Sequence, residues 1–469
     1  MPRPLVLISA VGLTTRLLPM APMLAARVAQ GWSRPMIEPL PAVTCTAQAT
    51  ILTGQPPSVH GIVGNGWFFS ETGEVRFWQQ SHALIQAPTL PTLLKRANPS
   101  LKTANMFWWF NQGGAFDYSV TPKPYYGADG SKFFAIDGYP RSLPVALEQE
   151  LGPFPFSSFW GPRAGLPSTE WIARASARVL RDEKPDLLLV YLPHLDYQPQ
   201  RTGPSGCDMK TLVGELDRAC QPLLEAIDAT GAATWVVGEY GHTDASQPIY
   251  INQSLRRAGW LETRDGPYGE GLDTFSSRAF AVCDHQVAHV RVRDAADIPS
   301  VVEHLSGLDG VAEVLAGADR ARVGLDHPRS GEVIAFSRAN AWFAYPYWLE
   351  SKRAPDFART VDIHRKPGYD PCELFVDPAI AFPMMKVARK LMARKLGFRA
   401  LIDVIPLDAS LVKGSHGLRA TTDADRPVLI GSGPAPAEGA VDATAVLPML
   451  LSQEQQQQLH KLWQFAGWE

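Results

Sequence analysis

A chain of 469 residues, 45% hydrophobic and 19% charged with a formal net charge of −3, can bury a large core, and its length suggests two or three domains. It has no clustered basic excess to mark a nucleic-acid polymer as partner, and no apolar run near the ~18 residues that a membrane span needs. Five scattered cysteines (Cys45, Cys207, Cys220, Cys283, Cys372), odd in number and without CxxC spacing, argue against a disulfide framework or a thiolate zinc site and fit a reducing, cytoplasmic compartment.

The first apolar run, in MPRPLVLISAVGL, is too short for a signal peptide and lacks a small-residue cleavage site. Residues 5–10 read instead as a strand covered on both faces, ended by Gly12, with an apolar helical stretch to about Gln30. Residues 41–67, PAVTCTAQATILTGQPPSVHGIVGNGW, hold a short helix that opens at Thr44 and ends at Gly54, in a loop-rich setting. A hydroxyl at a helix N-terminus has two uses. It caps a backbone N–H, worth about 1 kcal/mol, or it acts as a nucleophile where free N–H groups hold an incoming phosphate. Capping is the commoner use.

Further on, a helix begins near Pro88, and residues 103–110 (TANMFWWF) read as an aromatic strand whose Trp108, Trp109 and Phe110 serve the core rather than a substrate platform. Residues 111–165, rich in Gly, Pro, Tyr and Phe, read as long loops, in which Lys123 is either an anion contact or a surface lysine. Helix 168–182, strand 186–192 (DLLLVYL), helix 210–230 and strand 233–237 alternate, which predicts a parallel sheet between helices. The texture changes near Ser276. Strands and one helix over residues 276–360 suggest a small α/β cap inserted into a core of residues 1–275 and 361–469. His285 and His289 (CDHQVAH) fall in a strand-like run and take a structural reading. The basic stretch 386–399 (KVARKLMARKLGFR) is a solvated helix face, with contact to an anionic lipid or partner as the other reading. Residues 447–468 close the chain as helix.

The run Thr44, Thr53-Gly54, Pro56-Pro57-Ser58-Val59-His60-Gly61-Ile62 and Gly64-Asn65 resembles the nucleophile region of the alkaline phosphatase superfamily, in the branch of phosphonoacetate hydrolases and nucleotide pyrophosphatase/phosphodiesterases. The resemblance covers the core and is weakest in the cap. It implies an alkaline-phosphatase-like α/β fold, Thr44 as nucleophile, Asn65 as a holder of phosphoryl oxygens, and metal ligands in four motifs. The last motif is intact in Gly414-Ser415-His416-Gly417, and its histidine is the ligand. Asp196 matches the aspartate after the strand DLLLVYL, but Gln200 stands where the family has histidine. Glu239-Tyr240-Gly241 replaces Asp-His-Gly, and Val11 replaces the aspartate that ends the first strand. Thr44, Asp196, Glu239 and His416 therefore survive in kind, while the second metal site is dismantled. One divalent ion, zinc or manganese, is expected rather than two.

His194 and His242, just past strand ends where open α/β sheets build sites, are candidate substitute ligands or hydrogen-bonded structural residues. Residues 361–370 (VDIHRKPGYD) also resemble a loop near the site in the phosphonoacetate hydrolase branch. That makes His364, Arg365 and Lys366 candidate contacts for a small phosphorylated or anionic substrate. The expected function is a metal-dependent hydrolase of a phosphate mono- or diester, nucleotide pyrophosphate or phosphonate. The alternatives are a metal-depleted binding protein on the same fold, or an enzyme with a rewired metal site acting on a biosynthetic intermediate. Oligomeric state is left open.

Overall fold

Apolar runs without alternation demand cover on both faces, and such runs form the centre of the sheet in the computed structural model, which describes residues 3–128, 131–451 and 453–466. In chain order the strands of the two principal sheets are β1 (Leu5–Ala10), β2 (Gly31–Ile37), β3 (Thr103–Met106), β4 (Tyr118–Pro122), β5 (Ile136–Tyr139), β6 (Leu187–Leu192), β7 (Ala233–Val237), β8 (Ala279–Asp284), β9 (Val287–Val292), β10 (Val311–Ala316), β11 (Val333–Ser337), β12 (Val428–Ser432) and β13 (Val441–Asp442). Among the described residues the larger sheet has nine strands in the order β13-β2-β12-β7-β1-β6-β3-β4-β5. It is mostly parallel. Only β12 against its two neighbours and β5 against β4 run antiparallel. The central strands β1, β6 and β7 are buried throughout.

The helices that matter to the site are α1 (Thr44–Thr53), α2 (Leu166–Asp182), α3 (His194–Thr202), α4 (Met209–Thr230), α5 (Ile298–Ser306) and α6 (Pro383–Lys395). Helix α2 places Trp171, Ile172, Ala175 and Val179 on one face at helical spacing, and it packs on α4 and β6. All ten residues of α1 are buried, and Gly54 ends it in the left-handed conformation (φ 64°). The smaller sheet is antiparallel, ordered β8-β9-β11-β10, with α5 packed against β10. All five cysteines are free. No helix among the described residues is long and apolar enough to cross a membrane.

Several local expectations change. The stretch after Gly12 is not one helix, because prolines at 19 and 22 break it into a 3-10 turn, one α turn and a second 3-10 segment. The aromatic strand stops at Met106. Asn105 accepts the Trp108 N–H at 2.9 Å and bends the chain, and Phe107 and Phe110 take left-handed φ values of 73° and 56°. The region read as loops over 111–165 contains β4 and β5 at the sheet edge, a hairpin of Tyr125–Tyr126 with Lys132–Phe133, and a helix at Ser142–Leu151. The terminal helix is two pieces, Val446–Leu450 and Gln453–Ala466, and its expected end at Trp468 lies outside the described residues. His285 is not in a strand. It sits in the tight turn between β8 and β9 with φ 59°.

Candidate active site

Three parallel neighbours, β1, β6 and β7, end at the same edge of the sheet, and the chain leaving β6 and β7 lines one cavity of about 860 Å³. Thr44, Asn65, Asp196, Tyr240, His285 and His416 all line it. Gly12, just past β1, has φ 78°, and a Cβ there would stand 3.2 Å from the His242 ring, so only glycine lets that imidazole close on the strand end.

Thr44 is the first residue of α1 and does not cap it; the preceding Val43 is extended and the hydroxyl makes no capping bond. Asn65 does that work instead, its Oδ1 accepting the Cys45 N–H at 3.0 Å. The freed Thr44 Oγ1 lies 3.0 Å from the Tyr240 hydroxyl, which donates to Asp196 Oδ1 at 3.1 Å. Burial pushes the Tyr240 phenol far above its ordinary range, so it stays a neutral donor.

Asp196 gathers the imidazoles. His242 Nε2 lies 3.1 Å and His416 Nε2 3.5 Å from Asp196 Oδ1, and the ligand atoms of the three residues fall within 4.8 Å of one another. Burial alone would raise the Asp196 carboxyl, but the His242 bond outweighs it and holds the group below its usual value. His416 is driven the other way. Burial, and then the crowding of His285, keep it neutral. Its Nδ1–H donates to the Ala42 carbonyl at 2.8 Å, so Nε2 carries a bare lone pair with no hydrogen-bond partner. The ring is clamped between Tyr240 (centroids 3.7 Å, 7° between planes) and His285 (3.8 Å).

Glu239 stands apart from this trio. It has a left-handed φ of 62°, which turns its side chain back toward β1, where Ser9 and Gln48 (2.8 Å) donate to Oε1. Burial lifts its carboxyl to about 7, while the bonds from Ser9 and Gln48 pull it back, and Oε2 has no hydrogen-bond partner. Val11 is wholly buried among apolar residues. Gln200 donates to the Asp196 carbonyl (3.1 Å) and accepts from the Tyr369 hydroxyl (2.6 Å).

His194 does not reach the cluster; it faces α4 and pairs with Glu215 at 3.0 Å. Lys366 is 1% exposed, tied at 2.7 Å to both Asp370 and Glu373, and presents nothing to a ligand. Lys123, His364 and Arg365 do line the cavity. Lys123 donates to Gln112, His364 bonds Tyr126, and Arg365 is anchored on Asp362. Trp78, Trp109, Trp160 and Tyr369 give the same cavity aromatic walls.

His285 was not singled out as a site residue by the sequence. Its Nδ1 pairs with Asp284 Oδ1 at 2.8 Å, its Nε2 has no partner, and its ring stacks on Tyr369 at 3.6 Å. Asp284 in turn accepts the Asn65 backbone N–H at 2.6 Å and side-chain amide at 3.2 Å, so β8 is pinned to the loop after α1. His289 is structural, bonded between the Val63 carbonyl (2.9 Å) and the Gly331 N–H.

A family model described as type I phosphodiesterase / nucleotide pyrophosphatase matches residues 5–370. Among solved structures, the chain is similar to phosphonoacetate hydrolase from Sinorhizobium meliloti 1021 in complex with phosphonoformate (16% identity, 95% of this chain and 94% of that one, TM-score 0.60). It is also similar to human ectonucleotide pyrophosphatase / phosphodiesterase 5 (13%, 96% and 94%, TM-score 0.58). An inactive form of the murine counterpart in complex with AMP matches likewise (12%, 96% and 94%, TM-score 0.57). These likenesses give the fold, alkaline-phosphatase-like, and the matched span gives the family. Because that family model spans residues 5–370, most of the chain, the protein belongs to the type I phosphodiesterase / nucleotide pyrophosphatase family.

Proposed function

We propose that the chain is a metal-dependent hydrolase of a phosphate mono- or diester, nucleotide pyrophosphate or phosphonate, with Thr44 as nucleophile. Asp196, His242 and His416 would hold one divalent cation of the zinc or manganese kind. The observation that carries this reading is the orphaned His416 Nε2. An imidazole lone pair 3.5 Å from an ionised carboxylate oxygen, both buried, repels it unless a cation lies between them. One carboxylate and two imidazoles suit zinc-type ions, and the Nδ1–H on a backbone carbonyl is how metal-binding histidines are usually oriented. When bound, the ion would supply Lewis-acid charge to the phosphoryl group. The donor set does not extend to a second ion, because Val11 has no ligand atom and Glu239 is turned to Ser9 and Gln48.

The remaining work falls to side chains of this chain. Thr44 Oγ forms a bond to phosphorus as the ester oxygen departs with the electron pair of the P–O bond and takes a proton from water. Glu239, whose buried Oε2 has no hydrogen-bond partner, accepts the Thr44 proton. The hydroxide left by that water attacks phosphorus in the second half, and Glu239 returns its proton to Thr44. Tyr240 fixes the threonine rotamer through its 3.0 Å bond. Lys123 and Arg365 face the anionic substrate, and the aromatic walls receive its apolar part.

A second reading, a binding protein that has dispensed with metal, is favoured by Tyr240, whose hydroxyl already occupies Asp196 Oδ1 and whose ring covers His416. Elemental analysis after dialysis against zinc or manganese, with a screen of aryl phosphate mono- and diesters, separates the two. One metal per chain and turnover abolished by Thr44→Ala uphold the hydrolase. Turnover that survives Thr44→Ala removes the nucleophile, and neither metal nor turnover leaves the binding protein.

A further inference from the structure

Helix α6 is turned inside out. A surface helix of a water-soluble protein lays its apolar stripe inward and its charges outward. Here none of the thirteen residues is buried, and the half-buried side carries Lys386 and Lys390. Both lysines are held by Asp403, with Lys386 at 3.2 Å and Lys390 at 3.1 Å. Val387 alone on that side packs onto the apolar cluster around Val404 and Ile405. The solvent side presents Met384 (77% exposed), Met385, Leu391, Met392 and Leu396, and Phe382 and Phe398 stand exposed at its two ends.

The charge around this apolar face has one sign. Residues 382–400 contain six basic and no acidic residues, in a chain whose net charge is −3. Arg389 and Lys395 lie on the exposed side, and neither makes an ion pair among the described residues. A second copy docking the same face by two-fold symmetry would set these cations against each other. At about 1.5 Å per residue the helix is near 20 Å long, too short to cross a bilayer but suited to lying in its plane.

We propose that α6 is a membrane-docking element. Its methionine, leucine and phenylalanine face enters the headgroup boundary of an anionic lipid surface, while Arg389 and Lys395 bind lipid phosphates. The segment also adjoins the cavity. Arg399 reaches Asp356 and lies over the Tyr268 ring, the Ile405 N–H bonds the Arg359 carbonyl, and Phe357 and Val361 between them line the cavity. The docked helix therefore holds the catalytic mouth near the lipid surface.

The test is co-sedimentation of the full chain with vesicles of phosphatidylcholine alone or with about one third phosphatidylglycerol. Pelleting with the anionic vesicles that weakens as salt rises is expected, and little with phosphatidylcholine. The pair Met385→Asp with Met392→Asp, and separately Arg389→Glu with Lys395→Glu, are expected to lower partition about tenfold or more. The second pair alters only exposed charges, so the fold survives it, and an unchanged urea midpoint verifies this for both. Equal partition of wild type and both pairs, or no pelleting with anionic vesicles, overturns the proposal. Self-association that the methionine pair abolishes, without lipid binding, overturns it in favour of a protein contact. The readout is lipid partition and not turnover, so its failure is distinct from failure of the hydrolase.

Discussion

Tyr240 joins the two halves of the site, since its one hydroxyl touches both Thr44 and Asp196. Replacing it with phenylalanine keeps the ring that lies on His416 and deletes only that link. Tyr240→Phe is expected to retain its metal, to lose about a hundredfold in diester turnover, and to lose about 1–3 kcal/mol of stability in urea unfolding, because two buried partners lose a bond. Wild-type turnover in that variant would remove the phenol from the reaction. At this scale much was legible and some was not. Thr44, Asp196 and His416 stand in motifs with local spacing, and His242 follows a strand end where ligands gather. Tyr240 read only as a lost histidine, because nothing in a sequence says that the longer side chain spans the gap between a threonine and a carboxylate. His285 escaped for a related reason. Its neighbours, His416 and Tyr369, are remote in the chain, and only the turn between β8 and β9 brings them into contact.

Two neutral imidazoles stitch α1 to the smaller sheet. His60 accepts the Ile62 N–H at Nδ1 and bonds Thr50 of α1 through Nε2, both at 3.0 Å, and His289 of β9 holds the Val63 carbonyl. Burial depresses them to about 3 and about 4. Folded-state values below the unfolded one mean that stability is full above about pH 6.5 and drains as pH falls toward 4, because the unfolded chain takes up protons that the folded one refuses. The slope approaches about 1.4 kcal/mol per pH unit for each histidine. Urea midpoints measured from pH 8 to 4 should fall more steeply with acid in the wild type than in His60→Gln, and equal profiles would show that the His60 ring protonates in place. Among elements, the long helices and the continuous apolar strands were readable from period and composition. The sheet edge at β4 and β5 was not, since its short strands carry turn-forming Gly and Pro and depend on β3 for their pairing.

On the scale of the whole molecule, the proposed cation site ties together the chain after β6, the chain after β7 and the segment before β12. An ion bound there crosslinks the folded state alone. Zinc at a hundred times its dissociation constant is expected to stabilise by about 2.7 kcal/mol, seen as a rise in melting temperature that chelation reverses and Asp196→Asn abolishes. An equal shift in Asp196→Asn would put the ion elsewhere. The stacking of His285 between Tyr369 and His416, with Asp284 clasping Asn65, carries a further consequence for traffic. The smaller sheet cannot swing away as a gate without unstacking the imidazole that braces His416, so opening and catalysis would be mutually exclusive by that route. On the proposed function, reactants would instead pass the aromatic rim, where Tyr126 and Phe134 stand partly in water. Turnover should then answer to the girth of what is threaded there rather than to the viscosity that slows a hinge.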